Sequence, residues 1–192
     1  MSDVSPEAER RCITARLNAR VQPMDRGTYF EDPLNETLQH ANLGEVTGGG
    51  TQLADEPAGI EYCDLEIVVP SLSDEVLRMI TSRLEELGAP KGSKLIVSDG
   101  ADIPFGVTEG LALFLNGVDL PDEVYANSDV DYLIEECNKL MMPDGLFRGH
   151  WQGSKETGLY FYGRSFAKMR SAIEPLLASY PLCQKSRTEQ IA

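Results

Sequence analysis

The chain has 192 residues, of which 42% are hydrophobic and 25% charged, the make-up of an ordinary globular protein. Its 31 acidic residues against 17 Lys and Arg give a formal charge of −14, which excludes a broad phosphate-binding surface and with it a nucleic-acid partner. No apolar run approaches the roughly 18 residues of a membrane span, so no membrane association is expected.

The opening "MSDVSPEAERR" is polar and lacks a secretory core. Residues 1–11 are expected to be disordered or loosely held. The four cysteines, Cys12, Cys63, Cys137 and Cys183, are widely spaced, and the two histidines, His40 and His150, stand far apart. With no CxxC and no leader, reduced thiols in a cytoplasmic protein are the expectation.

In "CITARLNARV" (12–21), Ile13, Ala15, Leu17, Ala19 and Val21 alternate with Thr14, Arg16, Asn18 and Arg20, which predicts a strand with one dry and one wet face. "QPMDRG" reads as a turn. Phe30, Leu34, Leu38 and Ala41 then recur at helical spacing, with Pro33 suited to a first turn. The run "GEVTGGGTQL" (44–53) reads as an edge strand whose three glycines allow a bulge or sharp twist. It lacks the lysine and the following helix of a phosphate loop. "IEYCDLEIVV" (60–69) alternates again. Residues 72–87 carry a helical stripe of Val76, Leu77, Ile80, Leu84 and Leu87, opened by Ser71 or Ser73 and closed by Gly88. "SKLIVSD" is a short closing strand.

Strand, helix, strand, strand, helix, strand is the ferredoxin-like split βαβ order. After "GADIPFGVTEG" it recurs. "LALFLNGV" (111–118) is a strand. Val130, Leu133, Ile134, Cys137, Leu140 and Met141 form a helix stripe opened by Ser128. "LFRGHWQG" and "GLYFYG" pair around "GSKETG". Ser165 caps a last helix that Pro175 should kink or shorten, and the tail "CQKSRTEQIA" supplies a closing strand. The halves align at an offset of about 98 residues. The predicted fold is α+β, tandem ferredoxin-like, with antiparallel sheets covered by helices on one face. Residues 12–99 form the first half, 100–110 a linker and 111–192 the second half.

In such a unit one sheet face is left uncovered. In the first half that face carries Arg16 and Arg20 opposite Tyr62, Asp64 and Glu66, a candidate recognition surface. In the second half both faces are apolar, so Ala112, Phe114, Tyr160 and Tyr162 must be hidden from water, most cheaply against the first half.

Motif chemistry is thin. His150 and Trp151 in "GHWQG" point to opposite faces of a strand, and a histidine near Glu156 across the hairpin is a candidate general base. No metal ligand set and no cofactor motif is present, and Cys12 and Cys63 read as small hydrophobes. The acidic "DLPDE" (119–123) lacks calcium-loop spacing and reads as a solvated turn. The candidate binding residues are Arg16, Arg20, Tyr62, Asp64, Glu66, His150, Trp151 and Glu156. The function expected from these features is a non-catalytic cytoplasmic binding or regulatory protein. It would recognise a basic protein partner or a small ligand between its halves, a toxin-neutralising (immunity-type) protein being one concrete form. An enzyme using His150, Glu156 and the Arg16, Arg20 and Glu66 face is the alternative, and a structural homodimer is the third reading.

Overall fold

The computed structural model describes residues 10–56, 59–97 and 100–192. The expectation for the first residues of the chain therefore falls mostly outside the described ones.

The first half runs β1 (Arg11–Leu17), α1 (Pro23–Arg26), a π-helical turn (Gly27–Glu31), α2 (Asp32–Ala41), β2 (Glu45–Leu53), β3 (Ile60–Val69), α3 (Asp74–Glu86) and β4 (Ser93–Val97). The second runs β6 (Glu109–Asn116), α4 (Asp122–Asn127), α5 (Val130–Met141), β7 (Gly145–Gln152), β8 (Glu156–Gly163), α6 (Phe166–Ser179), a 3-10 turn (Pro181–Cys183) and β9 (Arg187–Gln190). One sheet is ordered β2-β3-β1-β4, with β5 (Ile103–Phe105) beyond β4, and the other β7-β8-β6-β9. The second repeats the first four strands of the first, so the split βαβ topology is present twice. The stretch predicted as a linker holds β5 (Ile103–Phe105), which pairs with β4 and extends the first sheet.

Local sequence explains most boundaries. From Ile13 onward the odd residues of β1 are buried and its even ones are not, as alternation requires. The Ser73 hydroxyl accepts from the Val76 amide at the start of α3, and Val76, Ile80 and Leu84 face inward. Asp129, not Ser128, caps α5, because its carboxylate accepts the amides of Asp131 and Tyr132. Pro175 lies inside α6, yet the helix continues to Ser179. "QPMDRG" is not a turn: Pro23 takes the first helical position and the segment runs as helix into the π-helical turn. "PDE" of the predicted solvated turn opens α4.

The triple glycine lies in β2, on the sheet edge, with a bulge between Val46 and Gly48. Its middle member has a steric reason. A Cβ on Gly49 would lie 2.3 Å from the Asp64 carbonyl, 2.7 Å from Glu31 Oε1 and 3.0 Å from Arg26 Nε. The bare strand thus admits a part-buried ion pair. Arg26 Nε donates to Glu31 Oε1 at 2.5 Å, and its Nη1 donates to Thr51 Oγ1 at 2.8 Å.

The second sheet feeds two cores. Leu111, Leu113, Leu115, Leu159 and Phe161 pack under α5 and α6 with Leu133, Cys137, Met169 and Ile173. From the opposite face, Ala112, Phe114, Tyr160 and Tyr162 join the core of the first half. Phe114 and Tyr160 meet edge to face at 6.4 Å and are at most 2% exposed. Each such ring is worth about 2–3 kcal/mol when buried. The greasy face is hidden against the other half of the same chain.

Candidate active site

The register of the strands decides which expected site residues meet. On the first sheet Arg16 lies opposite Asp64. Its Nε and Nη2 each donate to an Asp64 carboxylate oxygen at 2.9 Å, and its guanidinium stacks 3.9 Å from the centre of the Tyr62 ring. The hydrogen bond to Asp64 raises the Arg16 pKa above the usual arginine value. These three residues satisfy one another. Glu66 lies two pairs further along, opposite Thr14, and is exposed. Arg20 lies beyond the end of β1 and turns to the other half. Its guanidinium sits 5.6 Å from the Tyr160 ring centre, and its amide donates to Tyr162 Oη at 2.7 Å.

The hairpin β7–β8 separates the other three. His150 lies opposite Leu159 and Trp151 opposite Gly158, so the bulge between Phe147 and Gly149 sends His150 to the helix side and Trp151 to the seam between the halves. Glu156 alternates with Gly158 and Tyr160 on the seam side. His150 and Glu156 are therefore on opposite faces and form no general-base pair. The His150 carbonyl accepts from Gln22 Nε2 at 3.0 Å, and its ring is exposed. Burial raises the carboxyl pKa of nearby Asp25, and His150 partly offsets this. Trp151 closes the seam over Gly59, where a Cβ would lie 2.3 Å from its ring. Gly59 has φ +73°, a conformation suited to glycine.

Among the expected residues, Glu156 lines a cleft. A cleft of about 430 Å³ is walled by Glu56, Asn116, Asp119, Ser154, Lys155 and Glu156. Arg187 fixes Glu156 through Nε and Nη2 at 3.1 and 2.8 Å, and stacks 3.9 Å from the Phe114 ring centre. Through Phe114 and Tyr160 this wall continues to Arg20, so the cleft is anchored to the inter-half core. The Asn116 Oδ1 accepts the amides of Val118 at 3.0 Å and Asp119 at 2.7 Å, folding the turn that presents Asp119. Across the mouth, Glu56 of the β2–β3 connection accepts from Ser154, from its amide at 3.3 Å and its hydroxyl at 2.5 Å.

Glu56, Asp119 and Ser154 were beyond motif reasoning because each sits in a polar loop without periodicity. The signal that points to one contact is the repeat. Ser154 follows Glu56 by 98 residues, and β6 begins at Glu109 as β1 begins at Arg11, with the same spacing. Equivalent hairpin tips of the two halves touch.

No protein-family model matches the chain, and no curated protein matches it. Solved structures do. A mutant chlorite dismutase from Candidatus Nitrospira defluvii is 12% identical, with 96% of this chain and 91% of that one covered and a TM-score of 0.31. An anthrone oxidase-like protein is 14% identical over 97% and 92%, with a TM-score of 0.26. A heme-binding protein from Thermus thermophilus is 15% identical over 94% and 87%, with a TM-score of 0.28. At these values the likeness transfers no activity to this chain.

The expectation of a non-catalytic, partner-neutralising protein is nonetheless corrected. The three structures named above carry the titles of a dismutase, an oxidase-like protein and a heme binder, none of them that of a neutralising protein. Two of the three acids in the expected binding set are also engaged internally, Asp64 by Arg16 and Glu156 by Arg187, while Glu66 is exposed.

A haem is tested by the donors present. An axial ligand needs a histidine, thiolate or phenolate over an apolar slot. His40 and His150 are both exposed. Cys63, Cys137 and Cys183 are packed within the two cores, where burial pushes the Cys63 and Cys137 thiols up to about 12 and the Cys183 thiol to about 11. Burial likewise raises the phenols of Tyr160 and Tyr162. None of these groups lines the cleft described above, and they do not fit a haem.

Proposed function

We propose that the protein is an enzyme acting on a small polar molecule, cationic or rich in hydroxyls, in the cleft between the β2–β3 connection and the β7–β8 hairpin. The observation that carries this reading is the carboxylate of Glu56 meeting the hydroxyl of Ser154 across a cavity of about 430 Å³, a size within the usual range of small-ligand sites. Three carboxylates and one ammonium, Glu56, Asp119, Glu156 and Lys155, give the lining an acidic balance. That balance favours a positive or hydrogen-bond-donating ligand.

Glu56 is the candidate proton acceptor. Its oxygen already holds a hydroxyl proton donor, the position a substrate O–H or N–H would take after displacing Ser154. Glu156, held by two hydrogen bonds from Arg187, is a fixed negative wall that orients the substrate. The reaction class is proton transfer, as in an isomerisation or hydrolysis. Four free cysteines, three of them buried, support a reducing, cytoplasmic setting.

The experiment is calorimetric titration with a panel of small amines and polyols, followed by turnover assays on those that bind. Glu56→Gln should retain binding and lose turnover by about 100-fold or more, whereas Glu156→Gln should weaken binding. Equal turnover in wild type and Glu56→Gln would remove Glu56 from the mechanism, and no binding from the whole panel would remove the cleft.

A further inference from the structure

Strand β2 is the outermost strand of the five-stranded sheet, so one side of its backbone meets no strand among the described residues. Proteins usually blunt such an edge with charge, proline or brevity. β2 is nine residues long and contains no Lys, Arg or Pro. Its one charge, Glu45, stands at its first residue and pairs with Arg10 at 3.0 Å. A bulge lies near its start, and from Gly48 to Gln52 the register with β3 is regular.

The segment Thr47–Thr51, T-G-G-G-T, reads the same in both directions. A second copy approaching antiparallel, about a two-fold axis near Gly49, therefore sets glycine against glycine and Thr47 of each copy against Thr51 of the other. On the sheet face, Gly48 and Gly50 carry no side chain that a neighbouring copy must clear. A Cβ on Gly50 would meet nothing within 4 Å, and one on Gly48 only the Glu66 carboxylate at 3.9 Å. Charge also selects this strip. Two chains at −14 repel over most of their surfaces, and from Thr47 to Leu53 β2 offers each a strand edge without a charged side chain.

We propose that β2 pairs edge to edge with β2 of a second copy, joining two five-stranded sheets into one continuous sheet. The contact is small, below the roughly 1,200 Å² of the lower standard interfaces, so the dimer is weak and reversible. Because its opponent is the net charge, salt should strengthen it by screening.

Sedimentation of the full chain from low to high micromolar concentration tests this, at low and at high salt. The expected result is a mass rising from one chain toward two, earlier at high salt. Gly50→Lys should hold the chain at one copy throughout, with unchanged circular dichroism. A wild type that stays monomeric at every concentration and salt overturns the proposal, and so does a folded Gly50→Lys variant that associates as well as wild type. Should Gly50→Lys fail to fold, hydrogen exchange on the wild type decides. Protection of the amides of residues 47–52 must rise with protein concentration, and a protection independent of concentration overturns the pairing.

Discussion

At the scale of single residues, neighbouring glycines of β2 do different work. Gly49 is squeezed between the Asp64 carbonyl and the Arg26–Glu31 pair, whereas Gly50 faces open space. Alanine at 49 must push apart a strand pair or a part-buried ion pair. The cost should be about 1–3 kcal/mol, the range for overpacking. Alanine at 50 should be neutral or slightly stabilising, by less than about 1 kcal/mol, through the unfolded chain. Urea denaturation of the two variants checks this, and equal midpoints would mean that the close approach at Gly49 is not needed. The sequence made a bulged edge legible here, because glycine in a strand has few other uses. It could not show which glycine was needed, since that depends on Arg26 reaching over the strand from a helix that "QPMDRG" disguises as a turn.

At the scale of elements, periodicity told the most. Strands β1, β3, β6 and β8 and helices α3, α5 and α6 were readable because burial on one face writes itself into the sequence at period 2 or 3.6. The doubly apolar "LALFL" and "LYFY" even implied a second buried face. The position of His150 relative to Glu156 was not readable, because a one-residue bulge between Phe147 and Gly149 sets which face each later residue of β7 takes. The double burial of β6 has a measurable consequence. Phe114 is 2% exposed, packs on Tyr160 and carries the Arg187 guanidinium. Phe114→Ala should destabilise by about 3–5 kcal/mol, and it should loosen Arg187 and Glu156 at the cleft as well. Phe114→Leu should recover most of the stability. A Phe114→Ala variant within about 1 kcal/mol of wild type would mean that this face is not part of a packed core.

At the scale of the whole molecule, polar ties reinforce the shared core. Glu109, the first residue of β6, accepts from Lys91 Nζ of the first half at 2.8 Å and, through its other oxygen, from the Phe166 amide at the start of α6 at 2.7 Å. The hydrogen bond from Lys91, followed by that from the Phe166 amide, lowers the Glu109 carboxyl pKa. A carboxyl whose pKa is lower folded than unfolded stabilises the fold at pH above its unfolded value. That contribution fades as pH falls through the folded value, where the carboxyl protonates in both states. Stability should thus decline on acidification below the ordinary glutamate range, and Glu109→Gln should flatten this part of the decline while lowering stability at neutral pH. Lys91→Met should mimic the first effect only in part, because the Phe166 amide still favours the carboxylate. Urea unfolding at a series of pH values reads the slope directly. A Glu109→Gln profile parallel to wild type from neutral to acid pH would show that this carboxylate does not link the two halves to pH.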